Sequence, residues 1–120
     1  MSIKAKALLI DLEGVVYQDG HTIPGSISFI QYLDKINFPY LFLTNTTTMP
    51  RKDILKKLSN FGLKINLEKI ITPLISTQNY LEKNQISSIA LYCSNKCKEE
   101  FVAFDINHHS PDAVIIGDLY

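Results

Sequence analysis

The sequence predicts an α/β fold built on a parallel sheet, and three observations lead to that class. Short apolar runs suited to buried strands, Ala7–Ile10 and Tyr40–Leu43, alternate with stretches whose apolar residues recur at helical spacing. The two runs are separated by about 30 residues that contain a helix, the length of a βαβ crossover, so they are expected to be parallel. Polar clusters follow each run directly, and open parallel sheets bind ligands at the carboxyl ends of their strands.

In order, the first strand spans about Ala5–Ile10 and closes on Asp11-Leu12-Glu13-Gly14. Asp19-Gly20 marks a tight turn between Val15–Tyr17 and His21–Ile23, so a small hairpin is expected. Pro24-Gly25-Ser26 opens a helix carrying Ile27, Ile30, Leu33 and Ile36. Strand two ends in Thr44-Asn45-Thr46-Thr47-Thr48. Thr48 is expected to cap the next helix, with Pro50 in its first turn and Gly62 at its stop. That helix presents Ile54, Leu55, Leu58 and Phe61. Ile70-Ile71 is a short apolar piece, and Thr72-Pro73 starts a third helix running to about Asn84. Ser88–Tyr92 reads as a strand, Lys96–Phe104 as a short helix, and Ala113–Ile116 as a strand closed by Gly117-Asp118. No repeat, low-complexity tract or flexible linker interrupts this pattern. Asn66–Thr72 is the best candidate for a boundary.

Bulk composition removes several function classes. Twelve basic and twelve acidic residues cancel, which gives no electrostatic case for nucleic acid or an anionic membrane. No apolar run approaches the roughly 20 residues of a membrane span, and Met1–Lys6 lacks the apolar core of a signal peptide. A cytoplasmic protein of ordinary domain size is the expectation. Cys93, Cys97, His21, His108 and His109 show no paired zinc-site spacing and are expected to be structural or solvated.

Asp11 is the first candidate for chemistry. A carboxylate at the mouth of an apolar strand is costly unless its charge is needed there. With Glu13 at i+2, both carboxylates can face one side of an extended chain, and Gly14 permits a sharp turn and close approach of a ligand. The plain alternative is an Asp that caps a strand and a Glu that is solvated. Thr44, Asn45 and Thr46 lie at the same expected sheet edge and lead into a helix N-terminus, where free amides favour an anion. Acids facing hydroxyls, an amide and a helix start suggest a divalent cation bound together with a phosphate. The alternative here is a threonine-rich cap and loop.

Leu8-Leu9-Ile10-Asp11-Leu12-Glu13-Gly14-Val15, followed by Phe42-Leu43-Thr44-Asn45-Thr46, resembles the first two motifs of the haloacid dehalogenase (HAD) superfamily of phosphohydrolases. Ile23-Pro24-Gly25, Thr44–Thr47, Arg51-Lys52 and Pro111–Gly117 are similar, in order, to its class IIA branch, which includes 4-nitrophenylphosphatase-like and nucleotide-monophosphatase-like enzymes. The resemblance covers essentially the whole chain. It implies a HAD-like Rossmannoid parallel sheet, with its N-terminal part at residues 1–70 and the start of a C2-type cap at 71–120.

It further implies a Mg²⁺-dependent phosphatase acting on a small phosphorylated substrate. Asp11 would be the nucleophile and a Mg²⁺ ligand, and Glu13 a second metal ligand through its carbonyl. The Glu13 side chain stands at the general acid/base position, and Thr44, Asn45 and Thr46 would hold the phosphate. Two departures qualify this. The family's general acid is Asp where this chain has Glu13. The phosphate-binding Lys and the Gly-Asp-x-x-x-x-Asp metal loop are not identifiable in the 120 residues. Gly117-Asp118 matches the start of such a loop, and Lys96 or Lys98 could replace the Lys, but Pro111–Gly117 suits a cap strand better. The chain alone is therefore expected to be weak or inactive, the alternative being a non-catalytic binding or assembly module. A receiver-like phosphoacceptor fits less well, for want of a second acidic pair. An incompletely covered sheet also predicts a homo-oligomer formed through its exposed edge, or a partner segment that completes it.

Overall fold

The computed structural model describes residues 4–119. The chain divides into two compact units, one containing residues up to Thr44 with Arg51–Ile71, the other Asn45–Pro50 with the residues from Thr72 onward.

In the first unit, β1 (Leu8–Asp11) pairs in parallel with β4 (Tyr40–Leu43), and β4 pairs in parallel with β5 (Ile70–Ile71), giving the order β1-β4-β5. Between β1 and β4 lie the antiparallel pair β2 (Tyr17–Gln18) and β3 (His21–Thr22), then helix α1 (Ser26–Lys35). Helix α2 (Arg51–Asn60) and a short 3-10 turn connect β4 to β5. The expected hairpin is present, with Asp19 at φ 49° and Gly20 at φ 79°, the left-handed pair that a two-residue hairpin turn requires.

Burial separates the two faces of this sheet. Tyr40, Phe42 and Ile70 are buried, as are Ile30 and Leu33 of α1 and Ile54 and Leu58 of α2. The Tyr40 hydroxyl donates to Asp34 Oδ1 at 2.7 Å, which ties α1 to the face that carries Tyr40. The opposite face holds Leu9 in register with Leu41, and Asp11 in register with Leu43. There Leu9 is 71% exposed and Leu43 46%.

The second unit has α3 (Pro73–Lys83), β6 (Ser88–Tyr92), α4 (Asn95–Lys98), β7 (Asp105–Ile106) and β8 (Ala113–Ile116). Its strands are all parallel, in the order β7-β6-β8. Thr72 caps α3, its hydroxyl accepting from the Ile75 amide at 3.2 Å, and Pro73 follows in the first turn. Leu74 and Leu81 of α3 join Ile89, Leu91, Cys93, Cys97 and Phe101 in one buried cluster. Cys93 and Cys97 are free thiols inside that core. Gly117 lies so close to Cys93 that a Cβ there would meet the Cys93 Cβ at 3.2 Å.

Two local expectations are corrected. Thr48 does not cap α2, because the helix begins at Arg51 and Pro50 occupies the position before it. The helix expected over Lys96–Phe104 is one turn of α-helix followed by 3-10 geometry over Glu99–Phe101. Among the described residues no helix is long and apolar enough to cross a membrane.

The two faces of the first sheet should respond oppositely to substitution. Phe42→Ala is expected to cost about 3–5 kcal/mol, the range for emptying an aromatic core position. Leu9→Lys should stay within about 0.5 kcal/mol, as surface changes do. Urea unfolding midpoints of the two variants are the measurement. Equal losses would mean that the burial pattern of β1 and β4 is misassigned.

Candidate functional site

Asp11 is the last residue of β1 and is exposed. Its Oδ1 accepts from the Leu12 amide at 2.8 Å, which orients the carboxylate beside the chain's first turn. Leu12 itself is fully buried, and its carbonyl accepts from three successive amides, Val15 (3.2 Å), Val16 (2.8 Å) and Tyr17 (3.3 Å). The chain therefore folds back immediately after the strand. Gly14 sits at φ 83°, a conformation that side chains rarely adopt, and its amide donates to the Tyr17 carbonyl at 2.7 Å. Glu13 forms an isolated bridge with Tyr17, and its Oε1 accepts from the Asp19 amide at 3.4 Å. The Glu13 carboxylate is thus engaged with the hairpin that follows it.

Tyr17 is a residue that the motif reading passed over. It is buried, its ring lies 5.5 Å from that of Phe61, and Lys57 Nζ sits 4.0 Å above it. Burial pushes its hydroxyl above the ordinary value of 10.0, and the charges of Glu13 and Asp11 push in the same direction. The charges of both carboxylates therefore bear on one phenol. The available signal was Tyr17 itself, a large aromatic just after the acid pair.

Thr44 follows β4 and is 7% exposed. Its amide donates to the Ile71 carbonyl at 3.1 Å, extending the β4–β5 ladder by one residue. Because Asp11 is in register with Leu43, Thr44 stands one residue beyond Asp11's partner at the carboxyl edge of the sheet. Asp11, Glu13 and Thr44 are thus all in the first unit. Asn45 and Thr46, the other two expected phosphate contacts, group with the second unit although they follow Thr44 directly in the chain. Thr46 Oγ1 lies 3.5 Å from Thr48 Oγ1. Among the described residues no three His, Cys, Asp or Glu side chains converge as a metal cage.

The family profile described as haloacid dehalogenase-like hydrolase matches residues 8–107, which include Asp11, Glu13 and Thr44. The chain belongs to that family. This HAD chain is 30% identical over 112 residues to haloacid dehalogenase-like hydrolase domain-containing protein 2 of Rattus norvegicus, covering 93% of the chain and 42% of the relative. It is 33% identical over 76 residues to an acid sugar phosphatase of Staphylococcus saprophyticus, covering 63% of the chain and 29% of that protein. Its fold is similar to the crystal structure of a 4-nitrophenylphosphatase from Thermotoga maritima, with TM-score 0.82 and 27% identity over 93% of this chain and 44% of that one. These relatives support the class IIA branch within the superfamily. The HAD chain spans less than half the length of each of the three.

The raised Tyr17 ionisation has a consequence for stability. An unfolded tyrosine loses its proton near its ordinary value of 10.0 while the folded one keeps it. The unfolded state thus binds fewer protons above that pH, and stability falls as pH rises. Below pH 10 the contribution is fully present. Tyr17→Phe should flatten the decline measured by urea unfolding between pH 9.5 and 11. An unchanged slope in that variant would show that Tyr17 is not held away from solvent and beside negative charge as described.

Proposed function

We propose that the chain carries the phosphoryl-accepting part of a Mg²⁺-dependent phosphohydrolase that acts on a small phosphorylated metabolite. Asp11 is the nucleophile on this reading. The observation that carries it is an exposed strand-end carboxylate, fixed by its neighbour's amide, one register step from a buried threonine at the same sheet edge. A carboxylate oxygen of Asp11 attacks phosphorus, and the bond from phosphorus to the leaving oxygen breaks as the new one forms. The Glu13 carboxyl gives its proton to that leaving oxygen. In the second half Glu13, now a carboxylate, takes a proton from water, which attacks phosphorus and releases inorganic phosphate from Asp11. Thr44 supplies hydrogen bonds to the phosphoryl oxygens.

One carboxylate and one carbonyl suit Mg²⁺ in one respect, since this ion is commonly held through one or two acids with water and substrate phosphate completing the shell. Asp11, through its carboxylate, and Glu13, through its backbone carbonyl, are the residues that would hold it. When bound, the ion offsets the repulsion between a carboxylate and a phosphoryl group. The resemblance also asks for a cation on the phosphate and a second acidic loop, so weak turnover is expected from the 120 residues alone.

A second reading, a non-catalytic binding module, is favoured by one contact. Glu13 Oε1 accepts from the Asp19 amide, which is a turn-holding role. Beryllofluoride, a mimic of a carboxylate-bound phosphoryl group, separates the two readings without requiring turnover. With Mg²⁺ present, the chain should give a bound ¹⁹F resonance that Asp11→Asn abolishes. No bound signal in either protein favours the module.

Glu13 provides a kinetic prediction. Its extra methylene displaces the acid by on the order of 1 Å, which can cost about a hundredfold at a preorganised site. Glu13→Asp should therefore raise kcat for 4-nitrophenyl phosphate, by up to about a hundredfold, while Glu13→Gln lowers it. A fall in kcat for both variants would show that the chain is tuned to the longer side chain.

A further inference from the structure

The second unit has a carboxyl edge of its own. β6, β7 and β8 are parallel, and β6 lies between the other two. The chain passes from β6 to β7 on one side through α4 and then crosses to β8 on the other. A cavity of about 510 Å³ lies on the β6–β7 side, against the segment that joins these two strands, a volume in the range of small-molecule sites. Its lining includes Tyr92, the last residue of β6, and Ile106, the last of β7.

The walls are aromatic and the ionisable groups are basic. Tyr92 and His108 meet edge to face, with centroids 5.3 Å apart and planes at 74°. Phe101 and Phe104 form a second ring pair at 6.0 Å. His108 Nε2 lies 3.4 Å from the Leu91 carbonyl, so the ring's proton belongs on Nε2 and Nδ1 is its remaining polar atom. Lys98 adds an ammonium group on the same wall, and no lining residue is acidic. Flat rings stack on aromatic walls, and an ammonium group in an acid-free site selects an anion.

We propose that this cavity binds a small planar aromatic anion, its ring against Tyr92, His108 and Phe104 and its charged group on Lys98. The site shares no residue with the Asp11 loop, and its test does not depend on phosphatase activity. The probe is naphthalene-2-sulfonate, followed by ¹⁵N NMR and calorimetry on the 120-residue chain. Saturable shifts are expected at the amides of Tyr92, Val102 and His108. Lys98→Glu, an exposed change that preserves the fold by circular dichroism, should weaken binding about tenfold. The neutral analogue 2-naphthalenemethanol should bind more weakly than the sulfonate. Shifts confined to Leu9, Leu41 and Leu43, an unchanged affinity in Lys98→Glu, or equal binding of the neutral analogue would each overturn the proposal.

Discussion

The carbonyl of Leu12 accepts hydrogen bonds from Val15, Val16 and Tyr17, and its side chain is buried completely. Everything at the end of β1 depends on this one residue. With Leu12 pointing into the core, its neighbours Asp11 and Glu13 are both left to solvent, as alternation along an extended chain demands. The three amides gathered on its carbonyl bring the chain round within one turn, and Gly14 supplies the positive φ that the turn needs. A substituted residue at Gly14 would meet little, the nearest atom being Gln18 Oε1 at 3.5 Å. The requirement there is conformational rather than steric.

The same turn brings Tyr17 beside Glu13, and residues of and just after α2 pack against its ring. Phe61 follows α2 and Lys57 lies within it, so the residues that hold the Tyr17 ring come from the crossover that also delivers β5. β5 in turn anchors Thr44 through the Ile71 carbonyl. The acid loop and the threonine are therefore joined by a chain of contacts inside one unit, from Leu12 through Tyr17 and α2 to β5. A buried Thr44 needs hydrogen-bonded surroundings to offset its lost hydration, and extension of the ladder meets part of that need.

Much of this was legible in the residues. Apolar runs marked β1, β4, β6 and β8, Asp19-Gly20 marked the hairpin, and Thr72-Pro73 marked the start of α3, because each has a local cause that acts over a few residues. What escaped depends on context. Thr48 has the chemistry of a cap, yet Pro50 delays the helix to Arg51. β7 is two residues long and exposed, and exists only by pairing with β6. In the candidate site, Asp11, Glu13 and Thr44 were readable as strand-end polar residues. Tyr17 was not, because its importance comes from burial beside charges that only the folded turn brings near. Nor does sequence adjacency show that Thr44 packs with the first unit while Asn45 and Thr46 pack with the second.

The apolar runs contain one further physical statement. Leu8-Leu9-Ile10 and Tyr40-Leu41-Phe42-Leu43 are apolar on both faces, whereas a strand with one wet face alternates. β8 behaves in the same way, with Val114 55% exposed and Ile116 79% exposed on the side away from the Ala113 and Ile115 packing. Selection for solubility would replace such residues if their face were permanently wet, since each exposed leucine or isoleucine forgoes about 1.5–3 kcal/mol of burial. These strands are apolar on both sides, and each is covered on one face within its own unit.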